Sequence, residues 1–194
     1  MNDYGFFIDI LKERLSPYRL HHSLEVAKSA KYLAQKYGYD AEKAYLAGLL
    51  HDITKESDAE ETFAFAEKYA LRMTQLEKDN KKLWHAITGA GYIRNDLDID
   101  DEEIVTAVRY HTTGRAGMSL AEKILFTADF ISSDRSYNGV ESMRHKADIS
   151  LETAMLEGLE FTITELIEKH APVHPDTLDA YNDIITNYEQ KGLI

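Results

Sequence analysis

The sequence predicts an all-α protein, folded as a single compact helical bundle. Long stretches repeat apolar residues every three or four positions, which is the period of one helix face. The alternating pattern that strands require is scarce. The three prolines, Pro17, Pro172 and Pro175, stand where a helix could begin or has just ended. These observations favour a bundle of helices over any sheet-containing fold.

The first three helices are predicted from residues typical of helix ends. A helix is expected over about 4–15 from its apolar spacing. Ser16 and Pro17 form an N-cap and first-turn pair that begins a second helix, which ends before Gly38. A third helix is expected over about 40–53, and it carries an apolar run that should be buried.

Start signals in the rest of the chain are of uneven quality. Capping boxes are predicted at 57–60 and at 119–122, each with a serine first and a glutamate last. Asp98 or Asp100 is expected to cap the helix that follows them. A helix over about 84–93 has the right apolar spacing but lacks an obvious cap.

Composition and charge exclude several classes of function. No cysteine is present, so disulfides, thiolate metal sites and a cysteine nucleophile are excluded, and a metal would need histidine, carboxylate and water ligands. The net charge of −12 argues against nucleic acid or an anionic membrane as a partner. Neither a signal peptide nor a transmembrane run is evident. We therefore expect a cytoplasmic protein, and the sequence allows a homodimer.

A histidine–aspartate pair ends the buried run of the third helix. Such a pair alone is weak evidence, because about one is expected by chance in this composition. His51 and Asp52, however, follow Ala-Tyr-Leu-Ala-Gly-Leu-Leu, where charged groups are costly unless they are paired or coordinated. On the preceding helix, His22 continues the inward stripe that includes Val26, whereas His21 lies on a more solvated face.

Three further residues show the same conflict between polarity and an apolar setting. His111 continues an apolar stripe, Asp129 ends the run Ile-Leu-Phe-Thr-Ala, and His85 follows a tryptophan on another helix. A single histidine on an apolar face is usually a hydrogen-bonded core residue, but six convergent groups favour a metal site. The predicted metal ligands are His22, His51, Asp52, His85, His111 and Asp129.

Four imidazoles and two carboxylates suit Fe, Mn, Co, Ni or Zn better than Mg or Ca. Six ligands exceed the need of one tetrahedral site, and two metals that share Asp52 as a bridge would use all of them.

These residues lie in segments that resemble a known family. RLHHSLEVA, AGLLHDITK, LWHAITGA, VRYHTTGRAGM and TADFISSDR are similar to motifs of the HD superfamily. They resemble most its YqeK-type bacterial enzymes, which hydrolyse diadenosine tetraphosphate symmetrically to two ADP. The likeness spans about 17–145, and PVHPDTLDAYN resembles that family's C-terminal segment. Two last helices, about 150–169 and 175–190, are expected to pack on this region, so that 1–194 forms one domain.

The resemblance implies a dinuclear centre with iron as the expected metal. One ion would be held by His22, His51, Asp52 and Asp129. The other would be held by Asp52, His85 and His111. Such a pair of cations can turn a bridging water into hydroxide that attacks a phosphorus atom.

The substrate implied by the resemblance is a dinucleoside polyphosphate, which needs positive charge on both sides of the metals. Lys55 and Arg115 are the first candidates for phosphate contacts, followed by Arg135 and the hydroxyl of Thr113. Asp52 and Lys55 are expected to act in the chemical step, and Asp52, or a carboxylate near it such as Glu56, is expected to orient the attacking water.

Other residues of these types receive plainer interpretations. His145, His170 and His174 are predicted at the surface or at helix ends, because no other ligand accompanies them. Trp84 is expected in the core rather than as a platform for adenine, whereas Tyr137 is a candidate for stacking on a base.

Three alternative functions are open at the level of sequence. The first is another HD-type nucleotide phosphohydrolase, either a nucleotidase or a phosphodiesterase. The second is a di-iron oxygenase, against which the cations Lys55 and Arg115 favour a phosphate substrate. The third is a catalytically silent scaffold, which would gain little from buried imidazoles and carboxylates.

Overall fold

A computed structural model describes residues 4–191, with side chains through 187, and regular structure in that range is entirely helical. The all-α prediction is confirmed. In chain order the helices are α1 (Gly5–Arg14), α2 (Pro17–Tyr37), α3 (Ala41–Leu50), α4 (Ala59–Lys68), α5 (Gln75–Asp79), α6 (Lys81–Asn95), α7 (Glu102–Tyr110), α8 (Leu120–Ile131), α9 (Val140–Ile149), α10 (Leu151–Glu168) and α11 (Pro175–Lys191).

The predicted ends of α2 match the structure. The Ser16 hydroxyl accepts a hydrogen bond from a backbone N–H of the first turn, and Gly38 ends the helix with a φ of +74°. The Asp40 carboxylate caps α3 in the same way. Helix α3 ends at Leu50, earlier than predicted, so His51 and the residue after it lie in the turn that leaves the helix.

Helix α4 does not begin with the capping box predicted at 57–60. Its N-cap is Asp58, whose carboxylate accepts the Glu61 N–H. The reason lies in a tertiary contact: the Ser57 hydroxyl accepts a hydrogen bond from Arg14 of α1, 3.3 Å away. A serine used in this way is replaced as a cap by the adjacent aspartate.

The caps of α6 and α7 also differ from the prediction. Asp98 has a φ of +51°, in the left-handed region, and Asp101 rather than Asp98 or Asp100 caps α7. Asn80 provides the cap that α6 lacked in the sequence analysis. The predicted capping box at 119–122 is present at the start of α8.

The main apolar core lies between α2, α3, α7 and α8, with contributions from α1 and α6. A second, smaller cluster joins the C-terminal helices to α8. It consists of Met118, Phe126, Met155, Leu159, Ala180 and Ile184. Helices α10 and α11 therefore pack on the bundle, and in residues 4–191 no helix is both long and apolar enough to cross a membrane.

Helices α2 and α3 approach closely at a glycine. A Cβ atom added to Gly48 would lie 2.7 Å from the Ala27 Cα and 3.0 Å from its nitrogen. Only a residue without a Cβ permits this packing. The approach brings His22 of α2 within reach of His51 after α3, with ring centroids 5.4 Å apart.

Candidate metal centre

The centre of the site is the turn that follows α3. His51 is fully buried there, and Asp52 is 2% exposed. The last turn of α3 places both side chains between α2, α6, α7 and α8, because the preceding run of alanine, glycine and leucine packs into the core. These two residues form the shared middle of the arrangement.

Helices α2 and α8 supply one side of the site. His22 Nε2 lies 3.0 Å from a carboxylate oxygen of Asp129. Ligand atoms of His22, His51 and Asp129 all lie within 4.8 Å of one another, the spacing of groups that hold one cation. Both helices present these residues on the faces that pack together in the core.

Helices α6 and α7 supply the other side. His51, Asp52 and His111 form a second group whose ligand atoms lie within 4.8 Å of one another. His85 joins it, with its Nε2 atom 3.2 Å from the Asp52 Oδ1 and 3.0 Å from the His111 Nε2. The structure thus brings together all six ligands predicted from the sequence.

The orientation of three imidazoles is set by groups behind them. His51 Nδ1 lies 2.7 Å from the carbonyl oxygen of Gly48, and His111 Nδ1 lies 2.7 Å from that of Val108. A carbonyl only accepts, so Nδ1 carries the hydrogen and the lone pair of Nε2 points into the site. Asp134 plays the same part for His22, at 2.8 Å.

Two buried atoms at the middle of the site have no hydrogen bond from residues 4–187. They are His51 Nε2 and Asp52 Oδ1, both acceptors in the protonation state just described. Leaving such atoms unsatisfied in the interior is costly, whereas a cation between them would satisfy both. The donor set, imidazole nitrogen with carboxylate oxygen, is one that first-row transition metals accept. The residues fit a metal.

The surroundings keep Asp52, His51 and His85 in the forms that bind a metal, whereas those of His22 favour its protonated form. Burial alone would raise the pKa of Asp52, but the neighbouring His51, His85 and Lys55 hold it well below its usual range. Burial lowers the pKa of His51 to about 4 and, together with Lys55, lowers the pKa of His85. Burial also opposes protonation of His22, but the adjacent carboxylates raise its pKa overall.

Cations stand at both ends of the ligand group. Lys55 Nζ lies 2.9 Å from His85 Nε2 and 3.4 Å from the Asp52 Oδ1. At the other end the Arg135 guanidinium donates to the Asp129 carboxylate. Two of the predicted phosphate contacts are therefore beside the ligands, on opposite sides.

The other two predicted substrate contacts point elsewhere. Arg115 forms a two-pronged ion pair with Glu122, at 2.6 and 2.8 Å, because that fully buried carboxylate requires a cation. The buried Thr113 hydroxyl donates to the Gly114 carbonyl. It is Thr112 whose hydroxyl reaches the imidazoles, 3.3 Å from His85 Nε2.

Sequence reasoning also missed two charged groups at the site. Arg19 lies one turn before His22 and 3.5 Å from the Asp52 Oδ2, a position that helix periodicity could have revealed. Asp134, which orients His22, gave no signal because it comes from the loop after α8.

Of the three histidines predicted at the surface or at helix ends, two are exposed and one is buried. His145 and His170 are exposed. His174 lies at a helix end but is buried, with its Nδ1 accepting the Asp176 N–H and its Nε2 3.6 Å from Glu77. A helix end is one of the two places predicted for it, and it is buried there because α11 packs this end against α5.

Comparison with known proteins agrees with the geometry of the site. The HD domain family matches residues 19–134, a range that contains all six predicted ligands. The chain belongs to the HD domain family. Within it, the chain is 39% identical over 187 residues to a "Bis(5'-nucleosyl)-tetraphosphatase, symmetrical" of Halalkalibacterium halodurans, which covers 96% of this chain and 98% of that one.

Other members of the family are similar over nearly the same length. A protein of the same description from Bacillus subtilis is 35% identical over 176 residues, covering 91% of this chain and 94% of its own. A crystal structure from Clostridium acetobutylicum, described as a "predicted HD superfamily hydrolase involved in NAD metabolism", has a TM-score of 0.92 at 35% identity. It covers 96% of this chain and 99% of that one. The resemblance stated from the motifs is confirmed.

Proposed function

We propose that this HD-domain protein is a metal-dependent hydrolase that cleaves diadenosine tetraphosphate symmetrically into two ADP. The observation that carries the proposal is the complete ligand group around Asp52, buried except for the partly exposed Asp129. Relatives that match over nearly their whole length are described as symmetrical tetraphosphatases. A scaffold would gain little from these groups, and relatives described as hydrolases favour hydrolysis over oxygen activation.

The centre is proposed to hold two divalent ions, with iron as the metal. His22, His51, Asp52 and Asp129 would hold one, and Asp52, His85 and His111 the other. Ions held by these residues would supply a water of lowered pKa and positive charge to offset that of the phosphate chain. Asp52, held ionised by its neighbours, would accept a hydrogen bond from that water and orient it.

Symmetric cleavage requires that negative charge be held on both sides of the central bond. Lys55, beside His85, would bind a phosphate oxygen on one side. Arg135, beside Asp129, would bind one on the other. Arg19 adds a third cation 3.5 Å from Asp52. Their opposite placement favours cleavage in the middle of the chain over removal of a terminal nucleotide.

The test is a product assay with metal-loaded protein and diadenosine tetraphosphate, joined to elemental analysis. ADP as the only nucleotide product, with iron near two equivalents per chain, is the expected result. ATP together with AMP would contradict symmetric cleavage, and intact substrate would contradict the choice of substrate. The cytoplasmic location and the homodimer stay predictions.

A further inference from the structure

A cavity of about 250 Å³ opens beside the metal centre, between the start of α6 and the turn after α3. Its walls include Lys55, Thr62, Lys81, Lys82, Trp84 and His85. Lys55 and His85 also face Asp52, so the cavity and the ligand group share a wall. A molecule bound at the metals could therefore extend into this space.

The charge of the cavity is opposite to that of the protein. Three lysines line it and no aspartate or glutamate does, among the described residues, in a chain of net charge −12. Clustered cations with no acidic neighbour in their own cavity attract an anion.

Lys81 and Lys82 are also placed against the local electrostatics of their helix. They are the first two residues of α6, and its first turn contains no acidic residue. The N-terminus of a helix carries partial positive charge, so two lysines there repel the helix dipole and each other. Asn80 already accepts the Lys82 N–H, so what a bound anion provides here is a countercharge that removes this repulsion.

Neither lysine has an ion-pair partner among residues 4–187. Lys82 interacts electrostatically with the carboxylate of Glu165 in α10 and helps to lower its pKa. The ion pair of Glu165 is with Lys169. Both lysines are exposed and free to reach into the cavity.

One wall of the cavity is a fixed aromatic ring. The Trp84 N–H donates to the carbonyl oxygens of Glu77 and Lys78, at 3.0 and 3.1 Å, which holds the indole in place. Trp84 is half-buried rather than part of the core, so a face of the cavity is apolar while its rim is cationic. Such a combination suits the phosphate and sugar of a nucleotide.

We propose that this cavity is a subsite for the outer end of one half of the substrate, where the phosphate joins the nucleoside, with Lys81 and Lys82 as its cations. Whole small-molecule ligands occupy roughly 300–1,000 Å³, so a cavity of this size takes part of one nucleotide. Lys55, between the cavity and the metals, binds the inner phosphate. The subsite rests on the proposed function for the identity of its ligand.

The test is the double variant Lys81→Gln/Lys82→Gln, metal-loaded, with steady-state hydrolysis of diadenosine tetraphosphate. The KM is expected to rise about tenfold or more, as lost charge-assisted contacts to a phosphate would produce, with kcat changed less than about twofold. Metal content should stay the same, because neither lysine contacts a ligand. The double variant Lys81→Arg/Lys82→Arg is expected to restore most of the affinity.

The matched control is Lys12→Gln/Lys36→Gln, which removes the same charge from α1 and α2, away from the cavity. An equal rise in KM in this control, or an unchanged KM in the cavity variant, would overturn the proposal that the cavity is a subsite. Formation of ADP by the wild type would still support the proposed function. If the wild type forms no ADP, the proposed function fails, and equilibrium binding of ADP decides the subsite. Weaker ADP binding only in the cavity variant supports it, and equal binding refutes it.

Discussion

Substitution of Gly48 by alanine should move α2 away from α3, which should lower both the stability of the protein and its affinity for metal. The added Cβ would meet three backbone atoms, the Ala27 Cα and nitrogen at 2.7 and 3.0 Å and the Val26 carbonyl carbon at 3.1 Å. Backbone atoms cannot rotate away, and carbon atoms prefer about 3.5–4.0 Å, so the helices must part by about 1 Å.

The cost can be worked from these contacts. Overpacking costs about 1–3 kcal/mol, and the absence of a flexible neighbour places this case at the upper end, about 3 kcal/mol. Alanine recovers about 1 kcal/mol through its higher helix propensity. A net loss of about 2 kcal/mol corresponds to a Tm lower by about 4–8 °C in a chain of this size.

Metal affinity should fall in the same variant, because the His51 ring is hydrogen-bonded to the Gly48 carbonyl and His22 lies on the other helix. Urea denaturation of the metal-free protein and metal titration against a chelator measure the two effects. Gly89→Ala in α6 is the matched control, since its Cβ would meet a side-chain oxygen of Thr54 at 3.4 Å and should cost little. Wild-type stability and affinity in Gly48→Ala would show that the two helices do not pack as described.

Three more predictions concern the ligands. Asp134→Asn should weaken metal binding about 10- to 100-fold, because the amide can donate a hydrogen bond to His22 Nδ1 and so move the ring hydrogen to Nε2. A competitive chelator assay measures the affinity, and an affinity equal to that of the wild type would contradict this role of Asp134. Asp52→Ala should remove metal binding and lower turnover at least about a thousandfold, equal to about 4 kcal/mol of barrier, so retained turnover would refute the central role of this carboxylate. Metal-free protein should lose up to about 3 kcal/mol as pH falls from 6.5 towards 4, since the unfolded chain then binds a proton that folded His51 excludes. The buried His85, whose pKa is also lowered, adds to this loss of stability, whereas the raised pKa of His22 opposes it. Urea denaturation at pH 7 and pH 5 measures the net change in the free energy of unfolding, and equal values at the two pH values would contradict the prediction.

The helices and the burial of the candidate ligands could be predicted from the sequence because both depend on local periodicity. An apolar stripe distinguishes buried His22 from exposed His21 without any knowledge of the partner helix. The adjacent pair at 51 and 52 likewise follows a run that can only be buried. Such signals need no long-range information.

The roles of Ser57 and Arg115 could not be predicted from the sequence, because each depends on which other side chain it contacts. Ser57 has the pattern of a cap but is bonded to Arg14, a residue 43 positions away. Arg115 lies close to His111 in the chain, yet a buried glutamate holds it in an ion pair. In each case a tertiary partner decided the role, and no local pattern specifies that partner.

The two ligands that follow helices share a geometry with an electrostatic consequence. His51 and His111 directly follow the last residues of α3 and α7, so both helices direct their carboxyl ends at the centre. Each carboxyl end carries about half a negative charge, so the two together add roughly one unit to those of the acidic ligands. This field attracts cations and repels phosphate. A cation would therefore have to bind before a phosphate ligand, and the metal-free protein should bind nucleotide weakly.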